Sequence, residues 1–149
     1  MPAFLTNGHA RVSLEECYLF ARQMHVLQKS GVPLLSGLSA LRSQLPAGVL
    51  HRVLRDVHQD LLEGKTFSQA LHRRPRAFDP IFISLVRVGE AGGFLSEVLA
   101  ESAKLFEWEM ELRRRIQAAL QYPAIVLLTL AAALGVMAVF VLPRFAEMF

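Results

Sequence analysis

The stretch Ala124–Leu142, AIVLLTLAAALGVMAVFVL, carries no charged side chain. As a helix it is about 28 Å long, close to the hydrocarbon thickness of a bilayer. A core helix of that length normally keeps a polar face. Backbone in hydrocarbon must satisfy its own N–H and C=O groups, so the stretch reads as a transmembrane helix. It lies near the C-terminal end of the sequence, where a cleaved secretory signal does not sit.

The flanks set the expected orientation. Arg113, Arg114 and Arg115 precede the span, while Arg144 and Glu147 nearly cancel after it. Positive charge is retained on the cytoplasmic side, so the three arginines read as a membrane anchor and the N-terminal part as cytoplasmic. Tyr122 stands at the entry, where an amphipathic ring suits the interface.

The rest of the 149-residue chain has helical, not strand, patterning. Residues 1–12 read as a flexible lead-in. Ser13 and Glu16 form a capping box, followed by Cys17, Phe20, Met24 and Leu27 at helical spacing. Gly31 and Pro33 punctuate, and a second helix is expected over Leu34–Leu45. Leu50, Val53, Leu54, Val57 and Leu61 make a third stripe, closed by Gly64. Thr66 and Gln69 form another capping box, and Asp79-Pro80 opens a fifth helix that Gly89 can end. The last helix begins near Leu95 and is expected to run into the membrane with a kink at Pro123. The predicted fold is all-α: a bundle of about six antiparallel helices over 13–119, a transmembrane helix over 120–143, and a short extracytoplasmic tail over 144–149.

Chemistry is sparse. The formal charge of +3 is mixed with acids, which gives no reason to expect nucleic acid. Cys17 stands alone in an apolar stripe and reads as a small core residue. His9, His25, His51, His58 and His72 show no ligand spacing, and no serine lies in a nucleophile elbow. VRVGEAGGFLSEVL (86–99) is the one glycine-rich stretch. Phe94 and Leu95 stand where a phosphate loop needs lysine and Ser/Thr. Glu90 and Glu97 could join turn carbonyls around a divalent cation, the minor reading. The main reading is a corner between helices, with Glu90 near the positive N-terminal end of the next helix. Arg73, Arg74 and Arg76 cluster in HRRPR, either a solvated loop or a contact for an acidic partner or anionic headgroups. No catalytic constellation emerges, and no enzyme is expected.

FARQMHVLQKSGVPLLSGL (20–38), LLEGKTFSQALHRRPRAFDPIFISLVRVGEAGGFLSEVL (61–99) and QYPAIVLL (121–128) together resemble the N-terminal half of the type II secretion system protein F family. The match covers Gly31, Pro33, Gly64, Pro75, Phe78, Gly89, Glu90, Gly93, Leu95, Tyr122 and Pro123. Phe94, Ser96 and Ser102 depart from it, a polar residue, an acid and an apolar residue being commoner there. The resemblance implies a six-helix cytoplasmic domain, present twice in a full-length member with three membrane helices. The chain is then either a truncated form or an unusually short member.

The function implied is an inner-membrane platform, without a cofactor, of a bacterial type IV pilus or type II secretion machine. The partners implied are an assembly ATPase, other inner-membrane assembly proteins, pilins or pseudopilins, and further copies of the chain. The alternative is a membrane-anchored helical signalling or adaptor domain that binds an acidic partner or nucleic acid through the arginine loop.

Overall fold

A computed structural model describes residues 11–140, 144–145 and 148. Six helices follow in order: α1 Leu14–Lys29, α2 Leu34–Gln44, α3 Val49–Leu62, α4 Phe67–His72, α5 Pro80–Gly92 and α6 Leu95–Phe140. The described residues contain no strand. The chain divides into two compact units, Met1–Met110 and Glu111–Phe149. That division precedes the 119/120 boundary drawn from hydropathy, because packing and apolarity change at different points along α6. The first ten residues of the expected lead-in lie outside the described residues. Val12 does not belong to a loose lead: it is buried in the core.

Local chemistry explains the helix ends. Ser13 and Thr66 close the capping boxes read from sequence, each with its N3 side chain returned to the cap N–H. The carboxylate of Asp79 accepts from Ile81 N at 2.7 Å, and Pro80 occupies the first turn of α5, where a missing N–H costs nothing. Helices α1, α3 and α5 end on Gly31, Gly64 and Gly93, all at positive φ. Each is followed by a residue whose N–H reaches back into the last turn: Val32 to Leu27 O, Lys65 to Asp60 O, Phe94 to Gly89 O. This closure satisfies helix carbonyls that otherwise lack donors.

Gly89, expected to end α5, lies inside it. The helix continues to Gly92 and stops at Gly93, whose φ of 76° is the left-handed conformation that a side chain would strain. Gly89 serves packing: a Cβ there would lie 2.7 Å from Val98 Cγ2. The missing side chain therefore lets α5 approach α6 closely.

The core of the first unit is aromatic. The ring of Phe20 of α1 packs 5.5 Å from Phe78 and 6.5 Å from both Phe67 and Phe82, in tilted or edge-on arrangements. Phe82 in turn lies 5.5 Å from Phe78 and from Phe106 of α6. Such pairs add about 0.5–1.5 kcal/mol each beyond area burial. Leu38, Leu54, Val57, Val86 and Leu99 complete the packing. Consecutive helices from α1 to α5 pack on one another.

In the second unit α6 continues unbroken through Pro123, which has no N–H for the carbonyl of Ala119. Its residues from Glu111 to Phe140 are exposed, and this helix is long and apolar enough to cross a membrane.

Candidate functional site

Glu90 stands in the last turn of α5. Its Oε1 accepts from Phe67 N at 2.6 Å and its Oε2 from Ser68 N at 3.1 Å. The carboxylate therefore sits on the N-terminus of α4. Gln69 Oε1 accepts from Thr66 N at 3.0 Å, and Thr66 Oγ1 from Gln69 N at 3.3 Å. The four backbone donors from Thr66 to Gln69 thus all have side-chain acceptors, two of them supplied by Glu90. A six-residue helix is too short to be stable alone. A carboxylate at its positive end offsets part of that deficit.

This corrects the expected partner of Glu90. The sequence reading sets it near the start of α6, because a helix that ends at Gly89 leaves the next residue in the corner. With α5 unbroken to Gly92, Glu90 is a helical residue on the face packed against α4.

Glu90 and Glu97 line one cleft at the corner, and Lys29 lines it as well. Among the described residues no group of three His, Cys, Asp or Glu side chains is placed to hold a metal ion. Both Glu90 oxygens already accept hydrogen bonds, and a lysine competes in the cleft.

A second constellation centres on Asp60, a carboxylate on the buried side of α3. Lys65 Nζ donates to Oδ1 at 2.6 Å and Arg74 Nη1 to Oδ2 at 2.5 Å; Arg73 Nη1 also donates to Oδ1. Hydrogen bonding from Lys65, aided by Arg74 and by the charges of both arginines, outweighs burial and lowers the carboxyl to about 2. The same contact raises the Lys65 ammonium above its ordinary value. The glycine closure after α3 delivers Lys65 to this point. Arg74 also donates to Ala70 O at 2.7 Å. Two of the three arginines read as a partner contact therefore neutralise a buried acid. Arg76 is exposed.

Sequence reasoning passed over Asp60, although a signal was present. It falls three residues after Val57, on the apolar stripe of α3, where an acid demands a partner. His25 was also missed as a link: its Nδ1 lies 2.8 Å from Ser96 O and 3.1 Å from Ser96 Oγ, tying α1 to the start of α6. Cys17 is a core residue whose thiol is pushed up to about 12 by burial, then by Glu16, Glu109 and Asp79. Ser102 lies in the core with its Oγ unpartnered among the described residues.

The residues expected at the membrane entry lie in the second unit. Arg113, Arg114 and Arg115 are exposed, and Arg115 Nε donates to Glu111 Oε1 at 2.9 Å. Tyr122 is exposed beside Pro123.

Residues 20–143 match the family model described as type II secretion system (T2SS), protein F. The type IV pilus assembly protein PilC of Myxococcus xanthus is 31% identical over 95% of the chain and 34% of its own length. The type II secretion system protein F of Xanthomonas campestris pv. campestris is 34% identical over 87% of the chain and 32% of its own length. The protein of the same description from Vibrio cholerae is 30% identical over 93% of the chain, again 34% of its own length. The chain spans about a third of the length of these curated relatives.

Proposed function

The chain belongs to the type II secretion system protein F family, and from that membership we propose that it is a non-enzymatic platform in the bacterial inner membrane. It serves a machine that assembles type IV pili or drives type II secretion. The carrying observation is the ordered match over residues 20–143, which takes in the bundle, the corner and the apolar part of α6. The names of the relatives speak of pilus assembly and of secretion, and both machines belong to the reading.

In this reading the helical bundle faces the cytoplasm and contacts an assembly ATPase, whose hydrolysis supplies the energy. The membrane part works with other inner-membrane assembly proteins, with pilins or pseudopilins, and with further copies of the chain. The adaptor alternative is weakened at two of its three arginines, because Arg73 and Arg74 donate to Asp60, while Arg76 stays exposed.

A photo-crosslinking residue in place of Phe94, which is 42% exposed beside the corner, tests the proposal in native membranes. The expected adducts contain the assembly ATPase or another component of the pilus or secretion apparatus. Adducts confined to nucleic acid or to soluble signalling proteins would sink the platform reading. Charge reversal at Arg73 or Arg74 is a poor test, since it removes one partner of buried Asp60 and sets a like charge beside it.

A further inference from the structure

Within the first unit α6 is fastened unevenly along its length. At its start the fit is tight. A Cβ on Gly89 of α5 would fall 2.7 Å from Val98 Cγ2 and 3.2 Å from the backbone of Leu95, so the two helices nearly touch there. His25 Nδ1 of α1 lies 2.8 Å from Ser96 O, and Leu99 is fully buried. Polar groups and packing both hold this turn.

Further along α6 the fit loosens. The surface between α5 and α6 opens into a groove of about 310 Å³, whose lining includes Phe82, Leu85, Ser102, Leu105 and Phe106. Leu105 is 51% exposed, and the inward-facing Ala103 and Phe106 keep 7% and 9% exposure against 0% for Leu99. The rings of Phe82 and Phe106 still meet at 5.5 Å, an apolar contact with no hydrogen bond to fix it. At the floor of this end the Ser102 hydroxyl is buried without a partner among the described residues. Parting α6 from α5 here by the width of a water, about 3 Å, would hydrate that hydroxyl and remove its desolvation cost. The same movement wets Phe82 and Phe106, which keeps the closed arrangement the major one. At Ser96 the balance runs the other way, because parting there breaks the contact with His25.

We infer that α6 pivots within the first unit on residues 95–99, so that its stretch 102–109 swings away from α5 and admits water to the Ser102 hydroxyl. The pivot is a hinge at the start of a helix, and the moving part stays helical. The opening is local and leaves the aromatic core around Phe20 in place. The inference does not rest on the platform reading, and either can fail without the other.

Native-state thiol labelling tests the pivot on the full chain in phosphatidylcholine nanodiscs. Ser102→Cys is nearly isosteric and sets a reporter at the loose end, while Leu99→Cys sets one at the tight end. The probe is methyl methanethiosulfonate, and mass spectrometry of the peptides separates each reporter from Cys17. Position 102 is expected to react at least about tenfold faster than position 99, at a rate that hardly changes in urea below the melt, as a local opening does. Position 99 should react at a rate that climbs steeply with urea, because global unfolding exposes far more surface. The cavity left by Leu99→Cys works against this order, since it favours unfolding. Equal rates, or a steep urea dependence at both positions, would overturn the inference, because α6 would then leave the bundle only when the bundle unfolds. Fast labelling that ignores urea at both positions would overturn it as well, since α6 would then detach whole and without a pivot.

Discussion

Asp60 shows how one residue governs its surroundings. Its carboxylate is out of solvent on α3, and Lys65, Arg73 and Arg74 supply the hydrogen bonds that keep it ionised. The cations remain partly in water, with side-chain exposures of 31%, 55% and 19%, so the pairing gain is not consumed by burying all four groups. A carboxyl lowered from 3.8 to about 2 contributes stability that is present above the ordinary value and lost as pH falls through the folded one. Asp60→Asn is therefore expected to cost about 1–3 kcal/mol at neutral pH. The difference from the unmodified chain should shrink between about pH 4 and about pH 2. Denaturant melts of both proteins in detergent, followed by circular dichroism, measure it. A difference independent of pH would remove the ion-pair account.

Among the elements, α5 carries the most consequence for the corner. Its continuation past Gly89 turns Glu90 toward α4, and the closure at Gly93 lets α6 begin at Leu95. An alanine Cβ at Gly89 meets Val98 Cγ2 at 2.7 Å and the backbone of Leu95 at 3.2 Å, so α5 and α6 would have to part. Gly89→Ala is expected to destabilise by about 1–3 kcal/mol. At Gly92 the nearest atoms belong to the ring of Phe94, a side chain that is itself 42% exposed. Gly92→Ala should therefore cost less, offset in part by the better helix propensity of alanine, worth up to about 1 kcal/mol. Thermal melts of the two variants check the order, and equal losses would refute the close-approach role of Gly89. The glycine corner is visible in the sequence, but which glycine turns the chain is not. A glycine that breaks a helix and one that admits a neighbour look alike until the neighbour is placed.

For the whole molecule the decisive expectation is orientation. With Arg113–Arg115 expected on the inner side, the proposed function puts the bundle in the cytoplasm. A cysteine introduced at exposed Ser43 is expected to react with a membrane-impermeant maleimide in cells only after the inner membrane is permeabilised. Cys17 will stay silent, being buried with its thiol raised to about 12. Labelling of intact cells would reverse the topology. The amino-acid sequence by itself determined the helices, their capping boxes, the apolar span and the family resemblance. Each is written in neighbouring residues or in their periodic spacing, and local backbone physics enforces them wherever the chain folds. Only tertiary structure decided that Glu90 caps α4, that Arg73 and Arg74 neutralise Asp60, and that the Ser102 hydroxyl is buried without a partner among the described residues. Those facts depend on residues brought together across helices, and a side chain's partner is set by the geometry of packing, which periodicity along the chain does not encode.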